Sequence, residues 1–438
     1  MKKLLLIRTI GVLVERKAMT FKDFNKFSRQ VKVLFSIMFL SEIAARITSP
    51  MFTMIFFSSS LVVFRTDTSL AKKAVMFGTF MLVYQLTTSV ASPLLGACSD
   101  IIGRKKVLIF SSLILFLMPF GVLFAITLHS YMLFLLFFGL FGLLYSINTV
   151  AIAEISDYST QETRIRNNSL SQFFIAFGAF VGPVLGGVFL SVSVTQIPFL
   201  LTFVVIVVIA FVTLLIVLFF YQDTGKKGEK KRKISFQPIW HLFREKAFFL
   251  LILLLILDQL VWGSFYRYSA VVARVHFNFN GFQIGFFTGC LALFVVISSG
   301  VLLPFLSKFL KVKSLMFLSI AMMILGNFTM ILSITVSIAP LLGIALLWIS
   351  SFLVAAGDVL IFCLILSRCQ EMVSSELQGS VVGIVYVIGN GMWAVNGFIS
   401  GLLMARSLSD IFVFNTILAL LLCVVYIFYP KTNKKVGQ

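Results

Sequence analysis

Long apolar runs alternate with short polar breaks along almost the whole chain. Twelve runs stand out, near 31–57, 75–96, 107–128, 131–152, 170–193, 198–221, 247–270, 282–305, 315–334, 340–366, 380–404 and 410–429. A helix needs roughly 20 predominantly apolar residues to cross a hydrocarbon core. Each run therefore predicts a spanning helix, and the fold class is an all-α membrane protein with twelve transmembrane helices. An even number of crossings puts both termini on the same side. One long polar break, 222–246, contains Gly225-Lys226-Lys227-Gly228-Glu229-Lys230-Lys231-Arg232-Lys233 and separates six runs from six. The expected organisation is a basic tail over 1–30, a six-helix bundle over 31–221, a basic linker over 222–246, a second bundle over 247–429 and a tail over 430–438. Halves of nearly equal length suggest a duplicated, pseudo-symmetric bundle.

Composition agrees with the pattern. Apolar residues make up 60% of the chain and charged residues 12%, with 50 Phe and a mean hydropathy of +1.06. A soluble domain carries about 25% charged residues. A net charge of +20 would suggest nucleic acid as a partner in a soluble protein, but its placement points to the lipid bilayer instead. With the N-terminus assigned to the cytoplasm, 29 of the 36 Lys and Arg fall in the tails, inner loops and linker. Six are assigned to external loops, namely Arg65, Lys72, Lys73, Arg267, Arg274 and Arg406, and Arg46 lies within the first run. This positive-inside asymmetry predicts an integral, multi-pass protein of a bacterial inner membrane with both termini cytoplasmic. The first 32 residues do not read as a signal peptide, because Arg8 interrupts the apolar run and no small-residue cleavage site follows. They read as a basic tail, or as an upstream start ahead of Met19. Five cysteines without a CxxC or a ligand cluster predict no disulfide, no metal and no cofactor.

The most specific local signal is Gly96-Ala97-Cys98-Ser99-Asp100-Ile101-Ile102-Gly103-Arg104-Lys105-Lys106, a charged hairpin between the second and third runs. Gly96 permits close helix approach, and Gly103 permits the positive φ of an abrupt reversal. A weaker copy lies between the eighth and ninth runs, where Gly300 and Lys308 repeat the spacing of Gly96 and Arg104. In the fifth run, Gly178, Gly182, Pro183, Gly186 and Gly187 form G-x-x-x-G-P-x-x-G-G. Its glycines make a packing groove, and Pro183 removes one backbone hydrogen bond. The segment Ala153 to Arg164 supplies the acids Glu154, Asp157 and Glu162 after the fourth run.

On these motifs the chain, from about 31 to 429, resembles the major facilitator superfamily, and within it the twelve-helix drug:proton antiporters of the tetracycline-efflux type. The hairpin resembles that superfamily's G-x-x-x-D-x-x-G-R-K loop, and the fifth-run element resembles the antiporter motif. The resemblance implies gating roles for Gly96, Asp100, Gly103, Arg104, Lys105, Asp157 and Arg164. Asp157 would pair with Arg104 in the outward-facing state, and Asp100 would face the start of the eleventh helix. Two departures stand beside it: the fourth run has no Arg, and the third and ninth runs have no acid.

Three carboxylates fall deep inside predicted spans: Glu42, Asp258 and Asp358. Such groups are costly in a bilayer unless they pair, neutralise or face water. Glu42 and Arg46 are four apart in the favourable acid-first order. Asp258 and Asp358 have no basic partner at i±3 or i±4, which suits proton exchange. The resemblance places the first, fourth, seventh and tenth helices around a central cavity, where these acids would converge. Tyr145, Asn148 and Gln85 are the candidate polar groups beside them. The expected function is secondary active transport, by a monomer, of a small-molecule substrate coupled to protons, most simply export of an amphipathic compound. The alternatives are proton-coupled import of a nutrient or siderophore, and a transport-inactive membrane sensor. No nucleotide-binding sequence is present, and no enzymatic activity is expected.

Overall fold

The structure, a computed structural model, describes residues 29–57, 68–159, 161–192, 199–223, 243–335, 340–373 and 378–429. Both expected tails (apart from Arg29 and Gln30, and up to Tyr429), most of the basic linker and the side chain of Arg164 lie outside them. Among the described residues the chain is all helix and turn, with no strand. In hydrocarbon every backbone polar group must be satisfied within the chain, and a helix does this locally.

The spans are α1 (Arg29–Arg46, then Thr48–Phe57), α2 (Leu70–Ile102), α3 (Arg104–Thr127), α4 (Tyr131–Leu144, then Ile147–Tyr158), α5 (Gln161–Ser191) and α6 (Leu200–Leu215, closing in a π-turn, Ile216–Phe220). The second half holds α7 (Lys246–Val275), α8 (Gly281–Ile297, a π-turn Ser298–Leu302, then Leu303–Phe309), α9 (Val312–Thr335), α10 (Pro340–Glu371), α11 (Gln378–Arg406) and α12 (Asp410–Ile427). Eleven of these are long and apolar enough to cross a membrane. The twelfth, α1, is not among them; it is broken at Ile47 and carries four charges. Proline explains the break: Pro50 has no N–H to give the carbonyl of Arg46 four residues back, and its ring crowds that carbonyl.

Two sequence expectations need correction. The hairpin around Asp100 is helical rather than a loop. α2 continues to Ile102 and α3 begins at Arg104, leaving Gly103 as the single reversing residue, with φ +100° and its N–H donated to Ser99 O. At 33 residues, α2 is roughly 50 Å long and carries the motif beyond the hydrocarbon. The fourth run is also not continuous. Tyr145 and Ser146 leave the helix, and Ser111 of α3 bridges the break: its hydroxyl lies 3.4 Å from Leu144 O and accepts from Ser146 N–H at 3.4 Å.

The helices form two six-helix bundles, α1–α6 and α7–α12, which meet along α2 with α11 and α5 with α8. Phe52, Phe56, Phe77, Phe80, Phe134 and Phe138 fill the first bundle, with ring centroids as close as 4.8 Å. At the end away from the linker the bundles press together through glycine. Gly78 of α2 lies against Gly397 and Gly401 of α11, and Gly187 of α5 against Gly281 and Gly285 of α8. Ser191 Oγ accepts from Phe282 N–H at 2.8 Å across the same end. Farther along these helices toward the linker end no such glycine seam continues: Gly300 of α8 and Gly383 and Gly391 of α11 have nothing within 4 Å of a built Cβ.

Candidate functional site

Between the bundles lies a cavity of about 340 Å³. The breaks in α1 and α4 both sit at its wall, so Thr48, Ser146, Asn148 and Thr149 line it. Glu42 is the acid of the wall. Its Oε1 accepts from Arg46 Nε at 2.7 Å and its Oε2 accepts from Asn148 Nδ2 at 2.7 Å. Tyr145 stacks on Phe141 at 4.8 Å and donates to Ser41 O. Glycines bring α5 close enough to hold this segment: Gly178 lies against Glu42, and Gly182 against Arg46. Gly186 packs on the backbone of Ile47 and Gly187 crosses to α8. The G-x-x-x-G-P-x-x-G-G element is therefore the packing seam of α5 on α1 and α8.

The charge assignment of Arg267 is corrected. It lies inside α7, not in an external loop, and lines the cavity. Its Nη2 donates to Gln85 Oε1 at 2.7 Å, in the other bundle, and its Nη1 to Trp393 O at 3.0 Å. The guanidinium lies 5.3 Å from the centroid of the Trp393 ring. The signal that could have found it was its position three residues inside the end of the seventh apolar run.

The three intramembrane acids do not converge as expected. Asp258 and Asp358 come together, while Glu42 stays in the other bundle. Gln259 joins the pair: its amide nitrogen donates to Asp258 Oδ2 at 2.8 Å and to Asp358 Oδ1 at 2.9 Å. The amide orientation is fixed by Trp393, whose Nε1 donates to Gln259 Oε1 at 2.9 Å. All three residues are buried. No Lys or Arg forms an ion pair with either acid among the described residues, and Asp258 Oδ1 has no hydrogen-bond partner. Sequence reading missed Gln259 and Trp393, which carry no charge.

At the linker end of the first bundle, Arg104 is surrounded by carboxylates. Its Nη2 lies 2.7 Å from Asp157 Oδ2 and 3.1 Å from Asp100 Oδ1, and its Nε lies 2.9 Å from Glu154 Oε2. Glu154, fully buried, is the member that sequence reading left without a role. Lys105 turns away and donates to Leu218 O and Tyr221 O at 3.1 and 2.8 Å, a favourable place for a cation at a helix C-terminus. Burial, with Glu154 beside it, pushes the Tyr221 phenol above its ordinary value. Gly103 faces Asp223, and Gly96 faces Thr149 of α4 at ordinary contact distance. Asp100 pairs with Arg104 within its own corner, and the Arg104–Asp157 pair expected of the outward-facing state is present here while the far-end glycine seams are closed.

A sequence profile described as Major Facilitator Superfamily matches residues 34–397. No curated protein matches the sequence. Solved structures do match. A D-xylose-proton symporter aligns at 15% identity over 93% of this chain and 99% of its own, with a TM-score of 0.72. A bacterial homologue of the iron transporter ferroportin, in an inward-facing state, aligns at 14% identity over 92% and 98%, with a TM-score of 0.70. The nucleoside transporter NupG aligns at 14% identity over 91% and 100%, with a TM-score of 0.69. At these identities the likeness is one of fold.

Proposed function

The chain belongs to the major facilitator superfamily, and from that premise we propose that it is a proton-coupled transporter of a small amphipathic molecule. It is a secondary transporter of the alternating-access kind, and the linker end faces the cytoplasm, as the distribution of Lys and Arg favours. On that orientation the conformation described above, with glycine seams closed at the far end, is the inward-open form. The cavity suits an amphipathic guest. Phe52, Phe77 and Trp393 offer apolar faces, while Glu42, Arg46 and Arg267 offer charge.

The observation that carries the proton reading is the Asp258–Gln259–Asp358 cluster. Two buried carboxylates bridged by one amide, with no Lys or Arg at ion-pair distance among the described residues, repel when both are ionised. Holding one proton between them removes that repulsion. Losing it changes the charge of a buried site, which is the event a gradient can act on. Infrared difference spectroscopy on the purified full chain tests this without a known substrate. A carboxylic C=O band that appears on acidification and shifts in both Asp258→Asn and Asp358→Asn is the expected result. A pH-independent carboxyl region would refute the assignment. Transport is tested in everted vesicles, where adding a transported compound should collapse an imposed pH gradient in the wild type and not in Asp358→Asn.

The G-P-x-x-G-G element, through its resemblance, favours export. Proton-coupled import is the second reading, favoured by the absence of an arginine from α4.

A further inference from the structure

Charge in the cavity is unbalanced. Two guanidiniums and one carboxylate line it, and the carboxylate is fully engaged: Glu42 holds Arg46 with one oxygen and Asn148 with the other. Arg267 has no carboxylate within ion-pair distance among the described residues. Its partners are a backbone carbonyl, a neutral amide and an indole face. A cation removed from bulk water and held only by neutral groups attracts an anion strongly, because the low dielectric that made it costly also strengthens its field.

The break in α4 adds a second, independent positive feature. The helix Ile147–Tyr158 begins at the cavity wall, with Ser146, Ile147, Asn148 and Thr149 all lining it. Ser146 stands at the N-cap but makes no capping bond. Its hydroxyl has no partner, although the residue is only 5% exposed. The first N–H groups of a helix carry partial positive charge and bind oxyanions when no side chain caps them. An apolar wall lies beside these donors: Phe52, Phe77, Tyr84 and Trp393.

We propose that the cavity binds an organic anion, with its oxyanion head group taken by Arg267 and the Ser146 end of α4 and its apolar body against the aromatic wall. The planar fork of Arg267 suits two oxygens of a carboxylate or phosphate. This deepens the transporter reading and rests on it, by naming the charge class of what is carried.

Thermal unfolding of the purified full chain, with no gradient and no transport, tests the proposal. The probes are matched naphthyl and short-chain alkyl compounds that share a body and differ in head group: carboxylate, phosphate monoester, primary amide or amine. Stabilisation confined to oxyanion members, weakening as salt rises, is expected. Arg267→Gln should weaken binding of the best anion at least tenfold, Arg267→Lys should restore part of it, and Ser146→Ala should weaken it by a smaller factor. Should Arg267→Gln fail to fold, the Lys and Ala variants carry the same comparison. Carboxylate against phosphate distinguishes the two oxyanion classes. Stabilisation by amides or amines as great as by anions, no stabilising anion, or wild-type affinity in Arg267→Gln would overturn the proposal. Because binding is read without a proton gradient, that failure is distinct from a failure of proton coupling in vesicles.

Discussion

Gly401→Ala should loosen the closed end of the molecule. A Cβ at Gly401 would stand 2.7 Å from Ala74 O and 2.8 Å from Gly78 Cα, where ordinary contact begins at 3.4 Å. Both are backbone atoms, so no side chain can swing aside; α2 and α11 must separate by about 0.7 Å, an overpacking that typically costs 1–3 kcal/mol. The cost falls on the form in which these helix ends touch and is relieved in a form that parts them. The ratio of the two forms should therefore shift by about 5- to 150-fold. In a cysteine-free background, Ala74→Cys reports the change, since Ala74 is fully buried in the seam. Its rate of modification by an impermeant maleimide should rise by that factor in the Gly401→Ala protein. Gly391→Ala on the same helix is the control, because nothing lies within 4 Å of its Cβ, and it should leave the rate unchanged. Equal labelling in the parent and Gly401→Ala proteins, with both folded, would refute the claim that this glycine seam opens.

The other predictions concern charge and orientation. Arg104→Ala leaves the fully buried Glu154 without its cation, a loss of about 3–5 kcal/mol. Thermal unfolding should show a large drop, partly recovered by Glu154→Gln in the same chain. Trp393→Phe removes the donor to Gln259 Oε1 and should cost about 1–3 kcal/mol. It should also change the pH profile of anion binding, and an unchanged profile would show that the acid cluster and the cavity act independently. Cys98, exposed near the linker end, should resist impermeant thiol reagents in intact cells, whereas a cysteine at exposed Arg406 should react. The opposite pattern would reverse the orientation.

Apolar run length made the helices legible, and the glycines at 103 and 178–187 announced a reversal and a packing seam. The break in α1 was also written in the sequence, as Pro50. The break in α4 was not. Neither proline nor glycine stands at Tyr145 or Ser146, and the interruption depends on Ser111 arriving from another helix. The same limit hid the acid cluster. Asp258 and Asp358 were conspicuous as charges, but their union depends on the rotation of α7 against α10 and on a neutral glutamine between them. Arg267 was misread because a sum over loop charges treats an arginine near a helix end as exposed, while burial against Gln85 and Trp393 is decided by the other bundle.

Trp393 holds two partners with different parts of itself. Its carbonyl accepts from Arg267 beside the cavity, and its indole donates to the amide that joins the acids. One residue thus belongs to both the proposed proton site and the proposed substrate site. Coupling between two binding equilibria is reciprocal: whatever factor a proton contributes to the hold on a guest, the guest contributes to the hold on the proton. Such a link has no built-in arrow. The concentrations on the two faces of the membrane set which way cargo flows, and the same bonds serve uptake and expulsion equally.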